Sequence, residues 1–277
     1  MSKHWVITGI GSGLGKAVAA TALARGDRVT GLLRNPDAAR AFAASAPGRA
    51  TAHLVDVTDR AGVFAAIAAA EAAAPVDILV NNAGNAFECW IEEGEPDAVR
   101  ALYETNLLGP LHAIQAVLPA MRGRGCGHIV NISSGGGILG VPWVGLYSSS
   151  KFALEGLSEA LAQEVGPLGI NVTIVEPGAF RTNLLVREHA KLSTTIPDYE
   201  KSAGQMRERI GAMGGAEPGD PAKFAAAMML LADAAEPPLR LALGDDAIAM
   251  ALTKAKQIQR DVEAWRAVGS GLTHAAA

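Results

Sequence analysis

The chain has 277 residues, of which 49% are hydrophobic and 19% charged, with a net charge of −4 and a pI near 5.9. That length suits one large α/β domain with a sizeable core, and the balance excludes disorder and a nucleic-acid partner. Cys89 and Cys126 are too few for a disulfide framework and lack zinc spacing, and no apolar run reaches a membrane span, so the sequence predicts a metal-free, cytoplasmic protein with no membrane partner.

The first strand is predicted over residues 4–7, and it runs into Thr8-Gly9-Ile10-Gly11-Ser12-Gly13-Leu14-Gly15-Lys16. Glycines there allow a tight turn and a close approach to a pyrophosphate, which the N–H groups of the following helix would bind. The loop is not a Walker motif, because Ala17 follows Lys16. The second strand, residues 28–33, ends at Leu33-Arg34, where the adenosine ribose of a dinucleotide should lie. An arginine at that place suits the extra phosphate of NADP, so NADP(H) is the expected cofactor, with NAD(H) possible; the alternative is a solvated surface arginine.

Strands follow at 51–55 and 77–80, separated by an alanine-rich crossover helix over 61–74. A long helical segment is predicted over 97–121, with Asn106 four positions before Pro110. Proline has no N–H to give the carbonyl of residue i−4, so the Asn106 carbonyl is left without its helical partner and the helix kinks. A fifth strand spans 128–132. After it comes Tyr147-Ser-Ser-Ser-Lys151, whose spacing places a phenol and an ammonium on one helix face. A cation there would lower the phenol's pKa and make it a usable proton donor; a half-buried Tyr beside a solvated Lys is the plainer alternative.

The sixth strand covers 172–175. About 40 residues without a clear strand then precede a helix over 221–235, a connection length typical of lids and binding loops or of partial disorder. A seventh strand is predicted at 239–243 and a tail helix from 245, with Ile248, Leu252, Ile258, Val262 and Trp265 among charges, for packing on its own domain or for a subunit contact. The alternation of strands and helices predicts a single-domain Rossmann fold over 1–277, a doubly wound parallel sheet of about seven strands, with a substrate-loop region near 183–219 and a C-terminal helix near 245–268.

Over at least residues 4–183 the chain strongly resembles the short-chain dehydrogenase/reductase family, in its compact single-domain branch. The resemblance rests on Thr8-Gly-x-x-x-Gly13-x-Gly15, Asp56-Val57, Asn81-Asn-Ala-Gly84, Asn106, Ser134, Tyr147-x-x-x-Lys151 and Pro177-Gly178, in that order. It implies Tyr147 as general acid/base in carbonyl reduction or alcohol oxidation, and Lys151 as the residue that lowers its pKa and binds the nicotinamide ribose. Ser134, thirteen residues before Tyr147, would orient the reacting oxygen, and Asn106 would hold a proton-relay water through its main chain. Cofactor contacts are implied for Gly9, Gly11, Ser12, Gly13, Leu14, Gly15, Arg34, Asp56, Val57, Asn82, Ala83, Gly84, Pro177, Gly178, Phe180 and Thr182. Asn81 is left between cofactor contact and strand pairing.

Phe87, Trp90, Ile138, Leu139 and Trp143 are expected to wall an apolar pocket for a hydrophobic ketone, aldehyde or alcohol, as in the steroid and retinoid dehydrogenase-like branch. Assembly as a homodimer or homotetramer is implied through the helices that carry Asn106 and Tyr147. Two other functions remain in view: a non-catalytic NADP-binding regulator on the same fold, against which Ser134, Tyr147 and Lys151 weigh, and an assembly protein, against which the phosphate loop weighs.

Overall fold

In a computed structural model that describes residues 2–181, 195–213 and 217–272, seven strands form one parallel sheet in the order β3-β2-β1-β4-β5-β6-β7. The strands are β1 His4–Thr8, β2 Arg28–Leu33, β3 Ala50–Leu54, β4 Ile78–Asn81, β5 Gly127–Ile132, β6 Ile170–Pro177 and β7 Arg240–Leu243. Parallel neighbours need crossover connections, and helices supply them: α1 Gly13–Ala24, α2 Pro36–Ser45, α3 Arg60–Ala73, α4 Pro96–Tyr103, α5 Gly109–Arg124, the short α6 Gly135–Ile138, α7 Gly145–Val165, α8 Glu200–Met213, α9 Pro221–Asp233 and α10 Asp245–Gly269.

Both faces of the sheet are covered. Trp5 and Ile7 of β1 point to the side where Val18, Phe224 and Met228 pack, whereas Val6 between them points to Val63, Val117 and Met121. Side chains alternate along a strand, so a sheet buried on both faces reads as a continuous apolar run.

Helix starts follow from local chemistry. Asn35, Asp59 and Asp220 accept hydrogen bonds from the N–H groups of Ala38, Gly62 and Ala222, which caps α2, α3 and α9. Helix α1 has no such cap, for Ser12 makes no side-chain bond to it and its first turn carries no acid.

The helical segment expected as one piece over 97–121 is interrupted. A π turn over Glu104–Leu108 separates α4 from α5, and the Gly109 N–H bonds back to the Glu104 carbonyl. The wider turn precedes Pro110, so two local irregularities meet at Asn106. The long connection after β6 contains α8 within its described part, and among the described residues no helix is long and apolar enough to cross a membrane.

His128 at the start of β5 is buried, with Nε2 on Thr173 Oγ1, and burial lowers its pKa from the ordinary 6.5 to about 4. The unfolded chain then binds more protons than the folded one, so this contribution is complete above pH 6.5 and is lost as pH falls toward 4, about 3 kcal/mol in all. Urea midpoints should fall across that window, and His128→Gln should flatten the slope. An unchanged slope in the variant would assign the acid sensitivity elsewhere.

Candidate active site

β1 and β4 are adjacent although the chain leaves them in opposite directions, so a crevice opens beyond their carboxyl ends. The glycine loop enters it from β1. Gly9 has φ +73, and a Cβ there would lie 2.9 Å from the Ala83 Cα, so the loop after β1 touches the loop after β4 through an atom only glycine lacks. Asn82 stitches the two together: its Nδ2 donates to the Thr8 carbonyl at 2.9 Å and the Gly9 carbonyl at 3.2 Å. The Thr8 hydroxyl in turn accepts from the N–H groups of Asn82 and Ala83, both at 3.0 Å. Gly13 has φ +57, and a Cβ on Gly15 would meet Asn82 Nδ2 at 2.3 Å. Gly11 has open space, with Leu33 Cδ1 at 3.9 Å its nearest neighbour.

The uncapped start of α1, flanked by Ser12 and Leu14, therefore offers free N–H donors beside a glycine loop. A dinucleotide pyrophosphate fits such a cradle. At the ends of β2 and β3 an Arg34 nitrogen lies 3.4 Å from an Asp56 carboxyl oxygen, both side chains being substantially exposed. Burial pushes the Asp56 pKa up, but Thr58 and Arg34 outweigh it and hold the carboxyl below its ordinary value. Val57 is buried and packs against Gly109, where a Cβ would approach within 2.8 Å.

On the other side of the crevice, Tyr147 and Lys151 project from α7. Lys151 is buried, its Nζ donates to the Ile132 carbonyl at 2.9 Å, and it sits 5.9 Å from the centre of the Tyr147 ring. Burial lowers the Lys151 pKa to about 8 despite the opposing charge of Glu155. The expectation that Lys151 depresses the Tyr147 pKa is not met in this structure. Burial pushes the phenol up, and the opposing pull comes from the Ser134 hydroxyl. The ammonium is directed at the Ile132 carbonyl, and a dry surrounding disfavours phenolate more than a neighbouring hydroxyl favours it.

Ser134 ends the turn after β5 and accepts from the Gly136 N–H at 3.1 Å, which caps α6. A Cβ on Gly136 would lie 3.4 Å from Tyr147 Cε1 and 3.5 Å from Ser134 Oγ, so the phenol and the hydroxyl flank the same glycine. The Asn106 side chain is fully buried and does more than its backbone carbonyl would require. Its Oδ1 accepts from the Asn85 N–H at 2.8 Å, while its Nδ2 donates to the Asn85 carbonyl and to Ser150 Oγ. Ser150 Oγ donates on to the Tyr147 carbonyl at 2.7 Å. Asn106 thus ties the loop after β4 to the helix of Tyr147. A Cβ on Gly84 would lie 3.3 Å from Asn106 Oδ1 and 3.4 Å from Lys151 Nζ, so Gly84 borders both.

Sequence reasoning missed Ser150 and the hydrogen-bonding roles of Thr8 and Asn85. Three consecutive serines at 148–150 inside a helix are poor helix formers, and that oddity was the available signal. Asn81 pairs strands, donating to Asn131 Oδ1 at 2.8 Å. Pro177 closes β6, and the next residues are clamped by the tail: Gly178 N–H bonds Leu243 and Ala179 N–H bonds Asp246 Oδ2 at 2.7 Å. Phe180 turns its ring onto Phe224, 5.3 Å away and edge-on, so that side chain is committed to the core. Thr182 lies outside the described residues.

Trp90 stacks on Tyr199 at 5.0 Å and on Trp143 at 6.5 Å, and these rings line a cavity of about 650 Å³. Phe87, Ile138 and Leu139 do not line it. From α7 it is lined by Gly145, Ser148, Ser149 and Phe152, of which Gly145, Ser149 and Phe152 lie on the arc roughly opposite Tyr147 and Lys151.

The family model described as short chain dehydrogenase matches residues 3–192. Oxidoreductase BOA17 of Botryotinia fuckeliana is 35% identical over 268 residues, covering 96% of this chain and 97% of its own length. A short-chain dehydrogenase from Streptomyces avermitilis has a TM-score of 0.89 and 40% identity over 99% of this chain and 100% of its own. The 3-ketoacyl-(acyl-carrier-protein) reductase of Brucella melitensis, solved with NADH, has a TM-score of 0.74 and 27% identity over 88% and 98% of the two chains.

Proposed function

The chain belongs to the short chain dehydrogenase family, and from that premise we propose that it is an NADP(H)-dependent oxidoreductase that reduces a ketone or aldehyde, or oxidises the corresponding alcohol. The observation that carries this reading is the convergence of Ser134, Tyr147 and Lys151 on the crevice that holds the glycine loop. When bound, the cofactor supplies the hydride; the protein's part is to bind, orient and move a proton. Tyr147 donates that proton to the carbonyl oxygen. Burial keeps the phenol in its neutral, proton-bearing form, the form a donor requires. Ser134 holds the reacting oxygen beside the phenol. Lys151 binds the nicotinamide ribose, and Asn106 supports a relay water through its carbonyl while its side chain fixes the helix.

The dinucleotide lies along Gly9, Gly11, Ser12, Gly13, Leu14 and Gly15, with Asp56 and Val57 at the adenine, Asn82, Ala83 and Gly84 at the ribose, and Pro177, Gly178, the Phe180 backbone and Thr182 at the nicotinamide. Arg34 selects NADP(H): as the exposed cation at the end of β2 it can leave Asp56 for a 2′-phosphate. The substrate is a small hydrophobic carbonyl compound or alcohol, the enzyme works in the cytoplasm, and it assembles as a homodimer or homotetramer through α5 and α7.

A screen of NADPH oxidation at 340 nm over ketones and aldehydes of graded size tests cofactor and substrate together. Turnover is expected with kcat/KM at least about tenfold higher for NADPH than for NADH, the worth of one charge-assisted contact. Arg34→Ala should erase the difference. A higher kcat/KM with NADH in the unaltered enzyme overturns the cofactor assignment.

A further inference from the structure

Among the described residues, helix α10 is anchored to the body only at its start. Ala247 is buried, Asp246 holds the Ala179 N–H, and the last contact is Lys254, whose ammonium lies 5.8 Å from the Phe152 ring. Every residue from 255 to 272 is exposed, so the final four turns of the helix, about 22 Å, stand clear of the described part of the domain. A solvated helix should be polar all round, yet this one carries Leu252 at 59% exposure, Ile258 at 52%, Val262 at 57%, Trp265 at 68% and Val268 at 63%.

The spacing of the apolar positions identifies the occupant. Ile248, Ala251, Ala255, Ile258, Val262 and Trp265 follow one another in alternating steps of three and four. That repeat averages 3.5 residues and forms a narrow seam, the pattern of a helix that pairs with another helix. A lipid surface would instead select a wide apolar face opposite a basic one, whereas here Asp261 and Glu263 interleave with Lys254, Lys256 and Arg260.

We propose that the projecting half of α10 pairs antiparallel with the same helix of a second copy of this chain, through an interface separate from α5 and α7. With Ile258 of one copy packed on Val262 of the other, the register sets Ala255 against Trp265 at both ends. Large side chains then meet small ones, and a parallel pair would instead oppose Trp265 to Trp265 and Ala255 to Ala255. A single helix pair of this length covers less than the ~800 Å² per partner of a stable standard interface, so weak association in the micromolar range is expected.

Sedimentation velocity of the full-length protein from 1 to 100 μM, in round concentrations chosen to bracket that range, tests the proposal. The mass should double across the series. Ile258→Asp with Val262→Asp, both on the solvated stretch, should raise the dissociation constant by about 100-fold or more. Ala255→Trp, which sets Trp against Trp265, should weaken the doubling, and adding Trp265→Ala should restore it. The proposal is overturned if the mass is constant over the range, if the Ile258/Val262 variant doubles like the wild type, or if the exchange of Ala255 and Trp265 fails to restore association. It is also overturned if these side chains prove to govern co-sedimentation with anionic phosphatidylserine vesicles while leaving self-association unchanged.

Discussion

Tyr147→Phe should lower kcat for carbonyl reduction by about 10²–10⁴-fold, the usual worth of a positioned general acid, while the dissociation constant for NADPH stays within about threefold. The split follows from geometry. The glycine loop, Asn82 and the open start of α1 lie across the crevice from the phenol, so removing one oxygen leaves them intact. Phenylalanine keeps the ring beside Gly136 and the backbone carbonyl that accepts from Ser150, so α7 keeps its register. Stopped-flow reduction and fluorescence titration of NADPH measure the two quantities separately. Turnover unchanged in this variant would remove Tyr147 from the mechanism.

Arg240→Met should destabilise the fold by about 3 kcal/mol at pH 7, the scale expected when a buried charge loses its partner. Arg240 Nη1 bonds both Glu155 and Glu176, whose side chains are 5% and 3% exposed, and its Nη2 bonds the exposed Glu159. Burial raises the pKa of both inner carboxyls, and Arg240 opposes that rise. Without the guanidinium the pair must protonate or stay charged in the interior, so the loss should shrink as pH falls toward 5, where protonation costs little. Denaturant midpoints of wild type and variant at pH 7 and pH 5 give the comparison. A loss equal at both pH values would mean that the arginine acts by packing alone. Glu155 lies one turn beyond Lys151 and Glu176 directly precedes Pro177, so this cluster underpins both walls of the crevice.

The parallel sheet was legible because each strand is a short apolar run bounded by turns, and burial on both faces demands such runs. The cluster of Glu155, Glu176 and Arg240 was not, because its members come from α7, β6 and β7 and no local pattern joins them. Asn106 was half legible. Pro110 announced the missing helical bond, a covalent fact, but the π turn and the side-chain clamp on Asn85 and Ser150 depend on where α7 comes to rest. The apolar wall was read as one pocket, and only Trp90 and Trp143 of the five residues entered the cavity.

Local chemistry along the chain therefore determined the elements, the glycine loop and the pairing of Tyr147 with Lys151 on one helix face, since each depends on residues within a few positions of one another. Tertiary structure alone decided the electrostatics of that pair. Spacing brings the ammonium near the phenol, but the Ile132 carbonyl takes the ammonium and the dry surroundings raise the phenol's pKa. Desolvation is set by everything packed around a group, most of it distant in sequence, which is why a helix face read by itself pointed to the opposite direction of shift.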